Sequence, residues 1–230
     1  MHIHGLQKLS MVDYPGKIAA TVFTGGCNLR CPFCHNALLV TRLNESPRLD
    51  EAEVFAFLES RKRLLDAVVL TGGEPLLQPD AADFLARVKD LGLLVKLDTN
   101  GCYPAALKTI LDRGLVDYVA MDIKNAPYKY AETVGIPGFD TGVIEESIHI
   151  LKESGVDFEL RTTVVKQFHT ADDIAAIGRW VGGAKHYYLQ NFEDSGNLIG
   201  QGLTGFTEEE IRQLQKTVEP YFQTVGIRGY

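Results

Sequence analysis

Short β-rich runs alternate along this chain with longer stretches in which apolar residues recur every three or four positions. The first pattern is typical of β-strands and the second of amphipathic helices. Each predicted strand is followed by a stretch with the helical period. We predict six strands: Ile18–Thr24, Ala67–Thr71, Leu93–Asp98, Tyr118–Ile123, Phe158–Val165 and Tyr187–Asn191.

The clearest predicted helix carries a stripe formed by Ala81, Phe84, Leu85, Val88 and Leu91, whose spacing places them on one face. Two other helices begin with capping patterns, in which a side chain accepts bonds from the first turn. Asp50 precedes Glu53 in one, and Thr207 precedes Glu210 in the other. We predict further helices over Ala105–Leu111, Val143–Leu151 and Thr170–Val181.

Strands that alternate with helices predict a parallel α/β sheet, because parallel neighbours need a crossover connection. A complete eight-unit barrel needs about 250 residues. This chain has 230 residues, so six units fit its length better. No repeat, low-complexity segment or linker divides the chain, and we predict one domain over residues 1–230 that forms an open partial (β/α)6 barrel.

Polar and glycine-rich segments follow the predicted strands, at the end where parallel α/β folds place their sites. Gly25-Gly26-Cys27 follows the first strand, and Gly72-Gly73-Glu74-Pro75 follows the second. Asp98-Thr99-Asn100-Gly101 closes the third. The remaining strands contribute Asp122, Lys124, Arg161, Gln190 and Phe192.

Three of the four cysteines lie within eight residues, in the pattern C-x3-C-x2-C formed by Cys27, Cys31 and Cys34. A structural zinc site takes four ligands, and only His35 is near enough to serve as a fourth. A cubane iron–sulfur cluster accepts three thiolates and leaves one iron without a protein ligand. The pattern favours such a cluster over zinc. Cys102 is distant from these three cysteines in the sequence, and we interpret it as a small buried residue.

The cysteine pattern, with Phe33 before its third cysteine, resembles the signature of the radical-SAM superfamily, and Gly72-Gly73-Glu74-Pro75 resembles its GGEP motif. The resemblance implies one [4Fe–4S] cluster whose open iron binds S-adenosylmethionine (SAM). In that superfamily the reduced cluster cleaves SAM to a 5′-deoxyadenosyl radical. The GGEP backbone receives the SAM amine.

Within that superfamily, Leu9–Lys17 together with Phe23–Cys27 and Cys34-His35-Asn36 resembles the glycyl-radical-enzyme activases. Tyr14, between Asp13 and Pro15, makes the segment most similar to activating proteins of anaerobic ribonucleotide reductase; formate-lyase activases usually carry Gly there. The resemblance implies a protein substrate, one glycine of the partner enzyme, and a flavodoxin- or ferredoxin-type electron donor. Gly25 departs from the Gln of many relatives, and one spare cysteine excludes auxiliary clusters.

The resemblance also implies roles for the polar residues at the strand ends. Gly72, Gly73 and Glu74 contact SAM, and Phe33 packs beside its adenine. Lys124 and Arg161 neutralise its carboxylate or hold its ribose, although both are equally readable as solvated charges. Asp98 and Asp122 correspond to a pair that binds a monovalent cation in relatives; the alternative for Asp98 is a helix cap. Further expected contacts are Asn100, His35, Gln190 and Phe192, and Asp13 meets the incoming glycine loop or forms a turn.

Charge and composition remove other functions. The net charge is −7, no block of Lys or Arg forms a basic stripe, and 45% of residues are hydrophobic. These values predict a globular protein that binds neither nucleic acid nor membrane. The N-terminus lacks the basic and apolar regions of a signal peptide, and on that ground we expect a cytoplasmic location. Three alternatives stay open: an activase of another glycyl-radical enzyme such as formate lyase, a radical-SAM enzyme for a small molecule, and a non-enzymatic zinc module.

Overall fold

The computed structural model describes residues 1–229, so Tyr230, the end of the predicted domain, lies outside the described residues. Within residues 1–229, eight strands form one sheet whose spatial order equals their order in sequence. The strands are β1 (Ile3–Ser10), β2 (Ala19–Thr24), β3 (Ala67–Gly72), β4 (Leu94–Thr99), β5 (Tyr118–Asp122), β6 (Asp157–Val164), β7 (His186–Asn191) and β8 (Thr224–Arg228).

Helices cross between the parallel strands and cover the outside of the sheet. They are α1 (Ala37–Thr41), α2 (Glu51–Arg61), α3 (Ala81–Asp90), α4 (Pro104–Asp112), α5 (Pro127–Val134), α6 (Gly142–Glu153), α7 (Ala171–Val181) and α8 (Glu208–Val218). Short 3₁₀ turns lie at Leu43–Glu45, Pro75–Leu77 and Glu219–Tyr221. The helix stripes and the outward sides of the strands form a continuous buried core.

All six predicted strands are confirmed as β2 to β7, each within one or two residues of its expected bounds. They pair in parallel, and a helix follows each one, so the predicted partial barrel of six βα units is confirmed. Among residues 1–229, β1 does not pair with β8 through backbone hydrogen bonds. The barrel is therefore open between these two edge strands. Among those residues no helix is long and apolar enough to cross a membrane.

Four strands and helices were not predicted: the edge strands β1 and β8 and the short helices α1 and α5. β1 pairs with β2 in antiparallel orientation and has irregular register after Ile3 and Gln7, which interrupts the period-two pattern. Thr207 and Glu210 form the expected capping box. Asp50 caps α2 by accepting from Ala52 N, but the expected partner Glu53 does not complete a box there.

Candidate functional site

A cavity of about 400 Å³ opens at the carboxyl ends of the parallel strands. Parallel strands end at the same edge, so the segments that follow them in sequence converge there. Fourteen of the fifteen residues predicted for the site line this cavity: Cys27, Cys31, Phe33, Cys34, His35, Gly72, Gly73, Glu74, Asp98, Asn100, Asp122, Lys124, Arg161 and Gln190. Phe192 does not line it.

The cysteine loop between β2 and α1 places three thiols on one wall of the cavity. The Cys27 sulfur lies 3.4 Å from Leu29 N and 3.7 Å from Asn100 Nδ2, both of which donate to it. Burial raises the pKa of the Cys27 thiol to about 11 and that of the Cys31 thiol to about 12. A bound metal would therefore displace protons from these sulfurs.

The Gly72-Gly73 segment lies directly against the cysteine loop. Glu74 N donates to Gly26 O at 2.8 Å, and Gly73 N donates to Thr24 O at 2.9 Å. A Cβ atom on Gly73 would stand 2.0 Å from Gly26 O, inside any allowed contact. Gly72 has a φ of 120°, which only glycine adopts readily. Glycine at both positions lets two backbone segments meet where they line the cavity.

Glu74 is fully buried, and its carboxylate is bound by protein donors. Oε1 accepts from Leu76 N at 3.0 Å and from Thr99 Oγ1 at 2.8 Å, while Oε2 accepts from Asn100 N at 2.7 Å. Burial raises its pKa to about 7, against the lowering effect of these hydrogen bonds. Glu74 thus fastens the end of β3 to the end of β4, a role that the expected SAM contact did not include.

Five charged side chains, of which all but Lys96 line the cavity, form a row that we call the ion ladder: Lys96, Asp98, Arg161, Asp122 and Lys124. Lys96 Nζ lies 2.5 Å from Asp98 Oδ1, and Arg161 Nη2 lies 3.3 Å from Asp98 Oδ2. Arg161 Nε donates to Asp122, whose other oxygen lies 2.8 Å from Lys124 Nζ. Asp98 lies in β4 and does not cap a helix, so the alternative given for it is wrong.

These contacts set the charge state of the ladder. Burial alone would raise the pKa of Asp122, but the charges of Arg161 and Lys124 outweigh it and hold that pKa well below its usual range. Arg161 and Lys96 likewise lower the pKa of Asp98. Both carboxylates are therefore ionised at neutral pH and paired with three cations.

Aromatic side chains of the cysteine loop also line the cavity. Phe33 is buried and packs against Phe168, with ring centroids 5.7 Å apart. His35 is exposed, its Nε2 donates to Glu193 O at 2.8 Å, and its ring stacks on Phe192 at 5.4 Å. Phe192, an expected ligand contact, is buried in the core and does not line the cavity, and its contact with a ligand stays a prediction.

The segment before β2 closes the barrel from the other end. Asp13 lines the cavity and accepts from Thr21 Oγ1 at 2.6 Å. Tyr14 is buried beneath it, 5.7 Å from the ring of Tyr118. Lys17 N donates to Tyr14 O, so this segment is also a turn. Asp13 therefore lines the cavity directly before a turn formed by Tyr14–Lys17, and its contact with an incoming glycine loop stays a prediction.

Four residues that support the site were assigned no role from the sequence. Lys96 joins the ion ladder, and Thr99 binds Glu74. Asn36 donates to Gly72 O at 2.7 Å, and His169 Nε2 donates to Lys124 O at 2.9 Å. Lys96 lies inside an otherwise apolar predicted strand, and this position could have indicated that it pairs with a carboxylate, because an unpaired charge is rarely buried. The contacts of His169 join segments far apart in sequence and left no such signal.

A family model described as the Radical SAM superfamily matches residues 21–181. A protein of Methanocaldococcus jannaschii that is named as a glycyl-radical enzyme activating enzyme is 35% identical over 98% of this chain and 95% of its own length. The pyruvate formate-lyase-activating enzyme of Clostridium pasteurianum is 32% identical over 71% of this chain and 68% of its own length.

Among solved structures, SuiB of Streptococcus suis bound to its precursor peptide SuiA superposes with a TM-score of 0.72. The match covers 91% of this chain and 48% of SuiB, at 16% identity. The chain thus spans about half the length of that protein. At this identity the likeness concerns the fold, and it agrees with the partial barrel described above.

Proposed function

This chain belongs to the radical SAM superfamily and, within it, to the glycyl-radical enzyme activating enzymes, and we propose from that premise that it activates anaerobic ribonucleoside-triphosphate reductase. The observation that carries the proposal is the convergence of three cysteines, a double-glycine segment and an ion ladder on one cavity. Tyr14 supports the choice of target, because it seals the barrel floor against Tyr118, whereas formate-lyase activases usually carry glycine there.

The donor set fits a cubane cluster. Among residues 1–229, no three His, Cys, Asp or Glu side chains are grouped as ligands of one metal ion. A zinc site needs such a group, whereas each thiolate of a cubane binds a different iron and the sulfurs lie farther apart. Cys27, Cys31 and Cys34 would hold the cluster, and the neighbouring cavity leaves room for SAM at the remaining iron.

The other cavity residues would position SAM. Carbonyl groups of the Gly72-Gly73 segment suit an ammonium group, and Lys124 and Arg161 suit a carboxylate. Phe33 offers an aromatic wall for the adenine, with Asn100, His35 and Gln190 around it. Glu74 acts through the backbone it holds. When bound, the cluster and SAM supply a carbon radical that removes one hydrogen atom from a glycine Cα.

Asp13 would meet the glycine loop of the partner. Its carboxylate lines the same cavity, and Thr21 fixes one of its oxygens at 2.6 Å, so the other oxygen is left to accept from a backbone N–H. A flavodoxin- or ferredoxin-type protein would deliver the electron. The cytoplasmic location expected from the sequence stays a prediction.

Electron paramagnetic resonance tests the choice of target. The protein is reconstituted anaerobically and mixed with reductant, SAM and one candidate partner at a time. We expect a glycyl doublet with anaerobic ribonucleotide reductase and none with the Cys31→Ala variant, which lacks a cluster ligand. A doublet with formate lyase alone would overturn the proposed target.

The second candidate is activation of pyruvate formate-lyase, favoured by the likeness to the Clostridium pasteurianum enzyme over 71% of this chain. The same experiment separates the two partners. SAM cleavage without a radical on either protein would point instead to a small-molecule substrate.

A further inference from the structure

The ion ladder leaves no vacancy for the monovalent cation that the sequence resemblance implies. That cation would bind between Asp98 and Asp122. Both oxygens of Asp98 lie beside protein cations, Lys96 at 2.5 Å and Arg161 at 3.3 Å. Asp122 is engaged in the same way by Arg161 and Lys124. The residues present therefore do not fit a bound sodium or potassium ion.

Lys96 is the member of the ladder that sets this arrangement. It lies two residues before Asp98 in β4, so both side chains point into the barrel. Its side chain is 3% exposed. A buried ammonium group is costly unless a carboxylate pairs with it, and Asp98 supplies that carboxylate. Lys96 does not line the cavity, and it reaches Asp98 from below.

Charge balance gives the reason for a third cation. Asp98, Asp122 and the carboxylate of a bound SAM carry three negative charges, and Lys96, Arg161 and Lys124 carry three positive charges. The five side chains of the ladder and the SAM carboxylate together are neutral, so this group of charges needs no further ion. Without Lys96 one negative charge would be left unpaired in a buried site, which is the condition that attracts a free cation.

We propose that the Lys96 ammonium group takes the place of a monovalent metal cation, so that SAM binding by this chain is independent of sodium and potassium. Lys96 is a positioning residue in this account, because it acts on SAM through Asp98. The proposal rests on the SAM site proposed above.

The test measures the affinity of the anaerobically reconstituted holoenzyme for SAM by equilibrium dialysis. One buffer contains tetramethylammonium as its only cation, which is too large for the site, and another contains potassium. We expect the wild-type Kd to agree between the two buffers. A wild-type Kd that improves about tenfold or more on adding potassium would overturn the proposal and leave the SAM site intact.

The Lys96→Met variant supplies the second arm. In tetramethylammonium we expect its Kd for SAM to rise at least about tenfold, since a charged hydrogen bond is lost. Potassium should then restore most of the affinity by filling the vacated position. Rescue by an ion is a readout that a purely structural lysine would not give, and a variant that potassium does not rescue would contradict the proposal.

A matched control is Lys89→Met, which removes a lysine paired with Asp117 at 2.8 Å outside the cavity. Its SAM affinity should not change in either buffer. Wild-type protein that binds no SAM in any buffer would refute the proposed SAM site and this inference with it. That outcome differs from potassium-dependent binding, which refutes the inference alone.

Discussion

Gly73→Ala adds one methyl group at the contact between the cysteine loop and the double-glycine segment. The new carbon would lie 2.0 Å from Gly26 O and 2.6 Å from Gly26 C. An ordinary contact of this kind needs about 3.4 Å, so the two segments must separate by about 1.4 Å. Both clashing atoms belong to the backbone, and no rotamer change can relieve the clash.

The separation breaks the hydrogen bond from Glu74 N to Gly26 O and moves Gly26, the residue before Cys27. Overpacking of this kind costs about 1–3 kcal/mol. For a chain of this size each kcal/mol lowers Tm by about 2–4 °C, so we expect a fall of about 2–12 °C. Misplacement by about 1 Å should also slow SAM cleavage on the order of 100-fold.

Thermal unfolding of the reduced, metal-free protein measures the first effect, and SAM cleavage by the reconstituted protein measures the second. Gly142→Ala is the control, because its Cβ meets only the Asp140 side chain at 3.1 Å near the start of α6. That variant should melt like the wild type or slightly higher. Unchanged Tm together with unchanged SAM cleavage in Gly73→Ala would refute the packing argument.

Cys31→Ala should lose most of the roughly four irons per chain expected for one cubane, and SAM cleavage with them; retention of both would remove the ligand assignment. Asn100→Ala should lower the midpoint potential of the cluster, because the amide donates to the Cys27 sulfur at 3.7 Å; an unchanged potential in an EPR-monitored titration would show that this contact has no effect. Burial lowers the pKa of His169 below 6.5, so the unfolded state binds more protons and wild-type stability should fall as pH drops below about 6.5. The destabilisation of His169→Gln relative to the wild type should therefore shrink over that range in denaturant unfolding, and a constant difference would contradict the pKa shift.

The parallel strands and the cavity wall could be predicted from the sequence because both follow from short-range patterns. A buried parallel strand is a continuous apolar run, and its carboxyl end always faces the site. The two edge strands lack that signal. β1 has irregular register and β8 is a five-residue strand with Gly226 at its centre, so neither shows a clear period.

The contacts that hold the site residues in position were harder to predict, because they join segments that are distant in the sequence. Glu74 was expected to face SAM, whereas its partners Thr99 and Asn100 belong to the next strand end. Phe192 follows β7 as expected, but it is buried, its ring stacks on His35, and it does not line the cavity. The direction in which a side chain points depends on the residues that pack around it. The spacing of residues along the sequence does not reveal those neighbours.

Mössbauer spectroscopy of the iron-57-reconstituted protein tests the central claim most directly, namely that three cysteines hold a cubane whose fourth iron receives SAM. We expect one iron of the four to change its isomer shift when SAM is added, while the three thiolate-bound irons stay as they were. Four irons that remain equivalent and unchanged in saturating SAM would contradict the account.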